Sequence, residues 1–193
     1  KNDEALELAR ESMRLYESIN ERRKVAYALM NIGIIYSQKD DYETTRQYFQ
    51  QSHDLMEEVG DPIARARAMN NLGNITDMLG DSQKAESLHL QALAIRREIN
   101  DRLGISYSMM NLGFLYYMRK DYARAEQYMV DGNKISRQLG EKLSEATSFN
   151  QLGNLYVDLE RYDESEQSFK QAKGLRQTIG DDVGAANAAS NLG

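Results

Sequence analysis

The 193-residue chain carries 30 acidic against 24 basic side chains, a net charge of −6, and has no cysteine. That balance lacks the positive potential that draws phosphate backbones, so nucleic-acid binding is not expected. The missing cysteines exclude a disulfide framework, a thiol nucleophile and cysteine-ligated zinc, and lean the compartment toward the cytoplasm. With one proline, no tryptophan and abundant Ala, Leu, Glu, Gln, Arg and Met, the composition is that of an all-α protein. No run approaches the ~20 apolar residues of a membrane span. Lys1 opens a polar helix rather than a signal peptide, which predicts a piece of a longer chain.

One phrase sets the organisation. Asn71-Leu72-Gly73 returns as Asn31-Ile32-Gly33, Asn111-Leu112-Gly113, Gln151-Leu152-Gly153 and Asn191-Leu192-Gly193, always 40 residues apart. A fixed period of this length predicts stacked units, each burying its apolar face only against its neighbours. The predicted organisation of residues 1–193 is one array: 1–20 as the second helix of a cut unit, then 21–60, 61–100, 101–140 and 141–180, with 181–193 as a final first helix.

In chain order, Ala5, Leu8, Ala9, Leu15 and Ile19 recur at helical spacing and predict a buried stripe on the opening helix. Asn20, Gly60, Asn100, Gly140 and Gly180 then stand at one offset, residue types that accept a left-handed helix stop. Glu21, Asp61, Asp101, Glu141 and Asp181 follow, suited to the start of the next helix, and Pro62 fits its first position. Arg96 and Arg97 read as a solvated helix end.

Each first helix carries an apolar face through Leu29, Met69, Met109 or Phe149, and a mid-helix glycine. Glycine there costs about 0.5–1 kcal/mol relative to alanine. Its recurrence at Gly33, Gly73, Gly113 and Gly153 predicts a close approach that leaves no room for a Cβ. Asp41, Asp81 and Asp121 are placed to cap the second helices, and where Arg161 breaks the series Asp163 is the alternative cap. Those helices show a small, large, small pattern, as in Ala125, Met129 and Gly132, that lets two helices pack closely.

With the helix pair laid out, the chain resembles the tetratricopeptide repeat family, with Leu72-Gly73, Ala85, His89 and Ala92 at its first-helix and second-helix positions. The unit departs from the family's usual length of about 34 residues, and the proline near the unit's end is absent. The Asn-Leu-Gly phrase and Gly-Asp junction are similar to Pins/LGN-type and kinesin-light-chain-type arrays and to bacterial regulators of this family. The resemblance implies a right-handed α-solenoid whose concave groove, lined by first helices, holds a peptide or partner helix.

On that pattern, the groove positions hold Tyr27, Met30, Ile34, Tyr107, Met110, Phe114, Tyr117 and Met118 in alternate units. Arg67, Asn70, Asn74, Asp77, Asn150, Asn154 and Asp158 stand in the others. Through all of them runs the amide ladder Asn31, Asn71, Asn111, Gln151 and Asn191. An amide both donates and accepts, so it can pair with any peptide backbone. The alternative is that these amides tie neighbouring helices together; asparagine's poor fit to a mid-helix position favours a side-chain use. Tyr36, Tyr42, Tyr116, Tyr122, Tyr156 and Tyr162 read as core, whereas core and groove stay open for Tyr107, Phe114 and Tyr117. Arg67 alone is basic among these positions, so a carboxylate clamp for acidic chaperone tails is not expected.

His53 and His89 sit at unrelated offsets, and no HExxH pair, phosphate loop or nucleophile elbow occurs. No catalytic residue, metal site or cofactor is expected. The sequence predicts a non-catalytic protein-binding scaffold, or alternatively the sensing part of a larger signalling protein. End-to-end self-association through uncapped units is a further expectation for its partners.

Overall fold

The computed structural model describes residues 2–191, and among them every regular element is an α-helix. The chain falls into two compact units, Lys1–Asp101 and Arg102–Gly193, divided where one 40-residue unit gives way to the next. The first holds α1 (Asn2–Ser18), α2 (Arg22–Ser37), α3 (Tyr42–Glu58), α4 (Pro62–Met78) and α5 (Ser82–Glu98). The second holds α6 (Arg102–Met118), α7 (Tyr122–Leu139), α8 (Lys142–Asp158), α9 (Tyr162–Thr178) and α10 (Asp182–Ser190). Within each unit consecutive helices pack on one another, and in the second α6 also meets α8.

Both kinds of turn are written in the backbone. Gly60, Gly140 and Gly180 close second helices in the left-handed conformation, as do Asn20 and Asn100. The turn inside each repeat uses the same geometry at Gly80, but also at Asp40, Lys120 and Glu160, where a Cβ makes it costly. The carboxylates of Asp41, Asp61, Asp81, Asp121 and Asp181 then accept from backbone N–H groups three residues on, at 2.8–3.2 Å. Arg161 holds the corresponding place on α9 without a side-chain cap, and Asp163 does not replace it. Arg161 instead pairs with Glu164 and Glu126.

The mid-helix glycines mark where one large side chain of the second helix lies against the first. A Cβ on Gly33, Gly73, Gly113 or Gly153 would stand 2.5–2.7 Å from Phe49, His89, Met129 or Phe169 respectively. Those partners are almost wholly buried, and the small residues beside them, such as Thr45, Ala85, Ala125 and Ser165, are buried with them.

The junctions between repeats are built differently each time. In the first unit Met56, fully buried, packs on Ala26 and Ala64. In the second, Ser136 meets Ser144 at 2.8 Å and Ser106 at 2.5 Å, a buried hydroxyl chain. One repeat later Arg176 pairs with Asp181, and a Cβ on Gly184 would collide with that guanidinium.

Three expectations are corrected. The stripe of α1 is not buried: Leu8, Leu15 and Ile19 are 60–64% exposed, and Leu6 is the buried residue, because among the described residues α1 packs chiefly against α2. Arg96 is not a solvated helix end but 5% exposed, with its guanidinium 3.9 Å from Asp101. Tyr162 lies 65% exposed rather than in the core.

Candidate functional site

A helix with glycine on its inner side turns the residues two positions away outward. Along the first helices the outward row is therefore offset 27, 31, 34 and 38 of each repeat. In the first unit it carries Tyr27, Asn31 and Ile34 on α2, and Arg67, Asn71, Asn74 and Met78 on α4. Asn31 and Asn74 are exposed, Asn71 half-buried, and Ile34 and Met78 are 41% and 57% exposed. Between these helices lies a cavity of about 250 Å³ lined by Ile34, Gln38, Asn71, Asn74 and Met78, with Phe49 behind them. Arg67 is not a free cation in this row, since its guanidinium lies 5.0 Å from the centre of the Tyr27 ring.

In the second unit α6 presents Tyr107, Asn111, Phe114 and Met118, and α8 presents Gln151, Asn154 and Asp158. Tyr107, Phe114 and Met118 are 42%, 48% and 59% exposed, which places these side chains outside the core. Tyr117 is half-buried, 6.3 Å from Phe114 and 6.2 Å from Tyr122 between ring centres. Burial, and then its hydrogen bond to the Asp158 carboxylate, push the Tyr117 phenol above its usual range. Asn191 is exposed at the end of α10.

The ladder amides do not tie helices together. Among the described residues the side chains of Asn31, Asn71, Asn111 and Gln151 make no hydrogen bond, and the carbonyl oxygen of Gln151 is buried without a partner. An unmet buried carbonyl costs about 1–3 kcal/mol.

Offset 30 belongs to the core and not to the outward row. Met110 is only 5% exposed, with its sulfur accepting from Ser106 and Ser144, and Met30 is 3% exposed. The reason is helical phase: three residues from Tyr107 the side chain turns inward, whereas four residues on, Asn111 stays out. Asn70, 4% exposed, lies with its Oδ1 3.2 Å from Nδ1 of His89. Asn150 occupies the same place two repeats later, and its Oδ1 is buried with no partner among the described residues. Replacing Asn150 by Met, the residue found at the equivalent position 110, should raise stability by about 1 kcal/mol in a urea melt.

A second cavity was not anticipated. It measures about 490 Å³ and opens between α7 and α9 over α8, lined by Val130, Asn133, Phe149, Tyr156, Gln167 and Ser168 among others. The signal for it in the sequence is Ser168, which stands where the other repeats have Tyr48, Leu88 and Tyr128.

Among the described residues no helix is long and apolar enough to cross a membrane. No curated protein matches the chain. It is similar in structure to BtubC from P. vanneervenii, at 18% identity and a TM-score of 0.83, covering 100% of this chain and 82% of that one. The Rap conjugation gene regulator of plasmid pLS20, solved in complex with the Phr* peptide, matches at 14% identity and a TM-score of 0.84, over 95% of this chain and 51% of the regulator. A STAND signal-transduction ATPase with a tetratricopeptide repeat sensor, from Pyrococcus horikoshii, matches at 18% identity and a TM-score of 0.72, over 89% and 27%. In sequence, residues 24–98 and 64–138 match one tetratricopeptide repeat model and residues 146–178 match another. With paired helices at a constant period behind those matches, the chain belongs to the tetratricopeptide repeat family.

Proposed function

We propose that the chain is a non-catalytic binding array whose first-helix faces hold a peptide or an amphipathic helix of another protein. The observation that carries this reading is the row of mid-helix amides at Asn31, Asn71, Asn111 and Gln151, which make no side-chain hydrogen bond among the described residues. Their role is to grip the ligand backbone. Ile34 and Met78 in one unit, and Tyr107, Phe114 and Met118 in the other, receive its side chains; methionine makes such a surface adaptable. The similarity to a Rap regulator solved with a peptide supports this class of ligand.

The test is selection of peptides from a displayed library on this chain, followed by affinity measurement with the Asn71→Ala/Asn111→Ala/Gln151→Ala variant. Each lost hydrogen bond is worth about 0.5–1.5 kcal/mol, so selected peptides should bind the variant roughly tenfold or more weakly. Unchanged affinity in a variant with the wild-type helical circular dichroism would sink the reading. A second reading, supported by the similarity to a tetratricopeptide repeat sensor of which this chain spans 27%, is that the occupant is a segment of the same full-length protein. It predicts that the flanking sequence, supplied as a peptide, competes with the selected ligands.

A further inference from the structure

The repeats contain their own template for what the larger cavity holds. In the first unit Tyr36 of α2 stacks on Tyr48 of α3, with ring centres 5.5 Å apart and planes 12° from parallel. In the second, Tyr116 of α6 stacks on Tyr128 of α7 at 5.5 Å and 22°. The guanidinium of Arg124 also lies 4.1 Å from the centre of the Tyr116 ring. Tyr116 is thus packed by both a cation and a phenol ring from α7.

Forty residues on, Tyr156 loses the ring and draws its cation from another position: Glu164 stands where Arg124 does, and Arg161 where Asp121 does. Arg161 lies 4.4 Å from its centre, but the stacking partner is replaced by Ser168, whose hydroxyl turns away to donate to the Glu164 carbonyl at 2.8 Å. The space a tyrosine would take is part of the 490 Å³ cavity, a size within the range of about 300–1,000 Å³ typical of ligand pockets. A hydrogen bond to the Glu126 carboxylate holds the Tyr156 phenol there, and burial, then the charge of Glu126, raise it to about 12. Phe149 and Leu152 add apolar wall, Gln167 and Gln171 put amides at the opening, and Arg137, Glu145 and Glu164 complete the lining with Asn133, which donates to the Glu145 carbonyl.

The repeat before the chain's midpoint supplies the contrast. Thr76 and Leu88 replace both tyrosines there, and the matching cavity of about 360 Å³ has Thr76 and Leu72 in its lining but no ring. Only the cleft over α8 combines a retained aromatic wall with a missing partner among these repeats.

We infer that the cleft between α7 and α9 is a binding slot for one aromatic side chain of a partner polypeptide, stacked on Tyr156 in the place that Tyr48 and Tyr128 fill in other repeats. The occupant is an aromatic ring because aromatic pairs at 4.5–7 Å gain beyond simple area burial. It arrives on a polypeptide because the amides around the opening suit a backbone on either side of the ring. This site lies on the face of α8 away from Gln151 and Asn154, and is independent of the first-helix row.

The probes are N-acetyl-tyrosinamide and N-acetyl-leucinamide, titrated into the whole chain and read by NMR at Phe149, Leu152 and Tyr156. The tyrosine derivative should give saturable shifts with millimolar affinity, at least fivefold tighter than the leucine derivative. Ser168→Tyr, which restores the internal stack, should abolish binding while keeping or raising the melting temperature. Equal response to both probes, or tyrosinamide binding that survives in Ser168→Tyr, would overturn the inference. Tyr156→Leu provides the same decision if Ser168→Tyr fails to fold: it must erase the preference for the aromatic probe. The triple alanine variant of the amide ladder should leave these shifts intact, which separates the slot from the first-helix face.

Discussion

Truncating Phe169 to alanine should lower the unfolding free energy by about 3–5 kcal/mol, the largest effect expected of any single substitution in the second unit. The ring is 1% exposed and lies against Gly153, so no neighbour is free to fill the space it leaves. Gly153→Ala attacks the same contact from the other side. Its new methyl would stand 2.5 Å from the Phe169 ring, and overpacking of this kind costs about 1–3 kcal/mol. In the double variant the methyl enters space the ring has vacated. Its loss should therefore be smaller than the sum of the two single losses by about 1 kcal/mol, a coupling typical of residues in contact. Urea melts of the four proteins measure it. Strict additivity would show that the glycine has another cause.

Acid should destabilise the first unit through His89. Burial holds its imidazole down at about 4, opposed by the charge of Asp77 and reinforced by that of Arg96. The folded state thus favours the neutral ring, whereas the unfolded chain takes up a proton near 6.5. Stability from this group is fully present above pH 6.5 and is lost as the pH falls from there to about 4, by on the order of 3 kcal/mol. The control is the Asn70→Met/His89→Met variant, which copies the Met110 and Met129 pair of the following repeat. Its unfolding midpoint should stay nearly flat between pH 6.5 and 4.5 while the wild type falls. Parallel curves would exclude His89 as the acid-sensitive group. The lowered carboxylates of Asp121 and Asp181, each stabilised by hydrogen bonds from a neighbouring arginine and a backbone N–H, add their losses only at lower pH.

Much of this architecture could be read in the sequence because period and chemistry agree. A left-handed stop, an aspartate cap and a glycine opposite a large residue recur at fixed offsets, and each has one physical use. The left-handed turns at Lys120 and Glu160 were hidden because nothing in those side chains favours that conformation. The outward phase was legible for Asn111, while Phe114 stayed open between core and groove until its exposure was seen. The phase failed at Met110, because a methionine serves equally in a core and on a surface, and only the helical angle separates the two. Arg96 was hidden for a different reason. Arginine on an exposed stop and arginine sunk into a junction differ only in the company of Asp101 across the turn. Ser168 was visible as a departure from the pattern at 48, 88 and 128, but a serine in a helix does not announce a cavity; the ring it fails to meet does.

The three junctions described within the units also bear on how such a chain can change over generations. Met56 fits against Ala64, Ser136 against Ser144, and Arg176 against Gly184, where a methyl would make the guanidinium shift. Exchanging one repeat for another would set Arg176 against the Ser144 side chain, or leave a buried serine hydroxyl facing alanine. The serial order is thus a lock with a different key at each step. Recombination that reshuffles single repeats within this chain should be selected against, even where every repeat involved keeps its caps, its glycine and its amide.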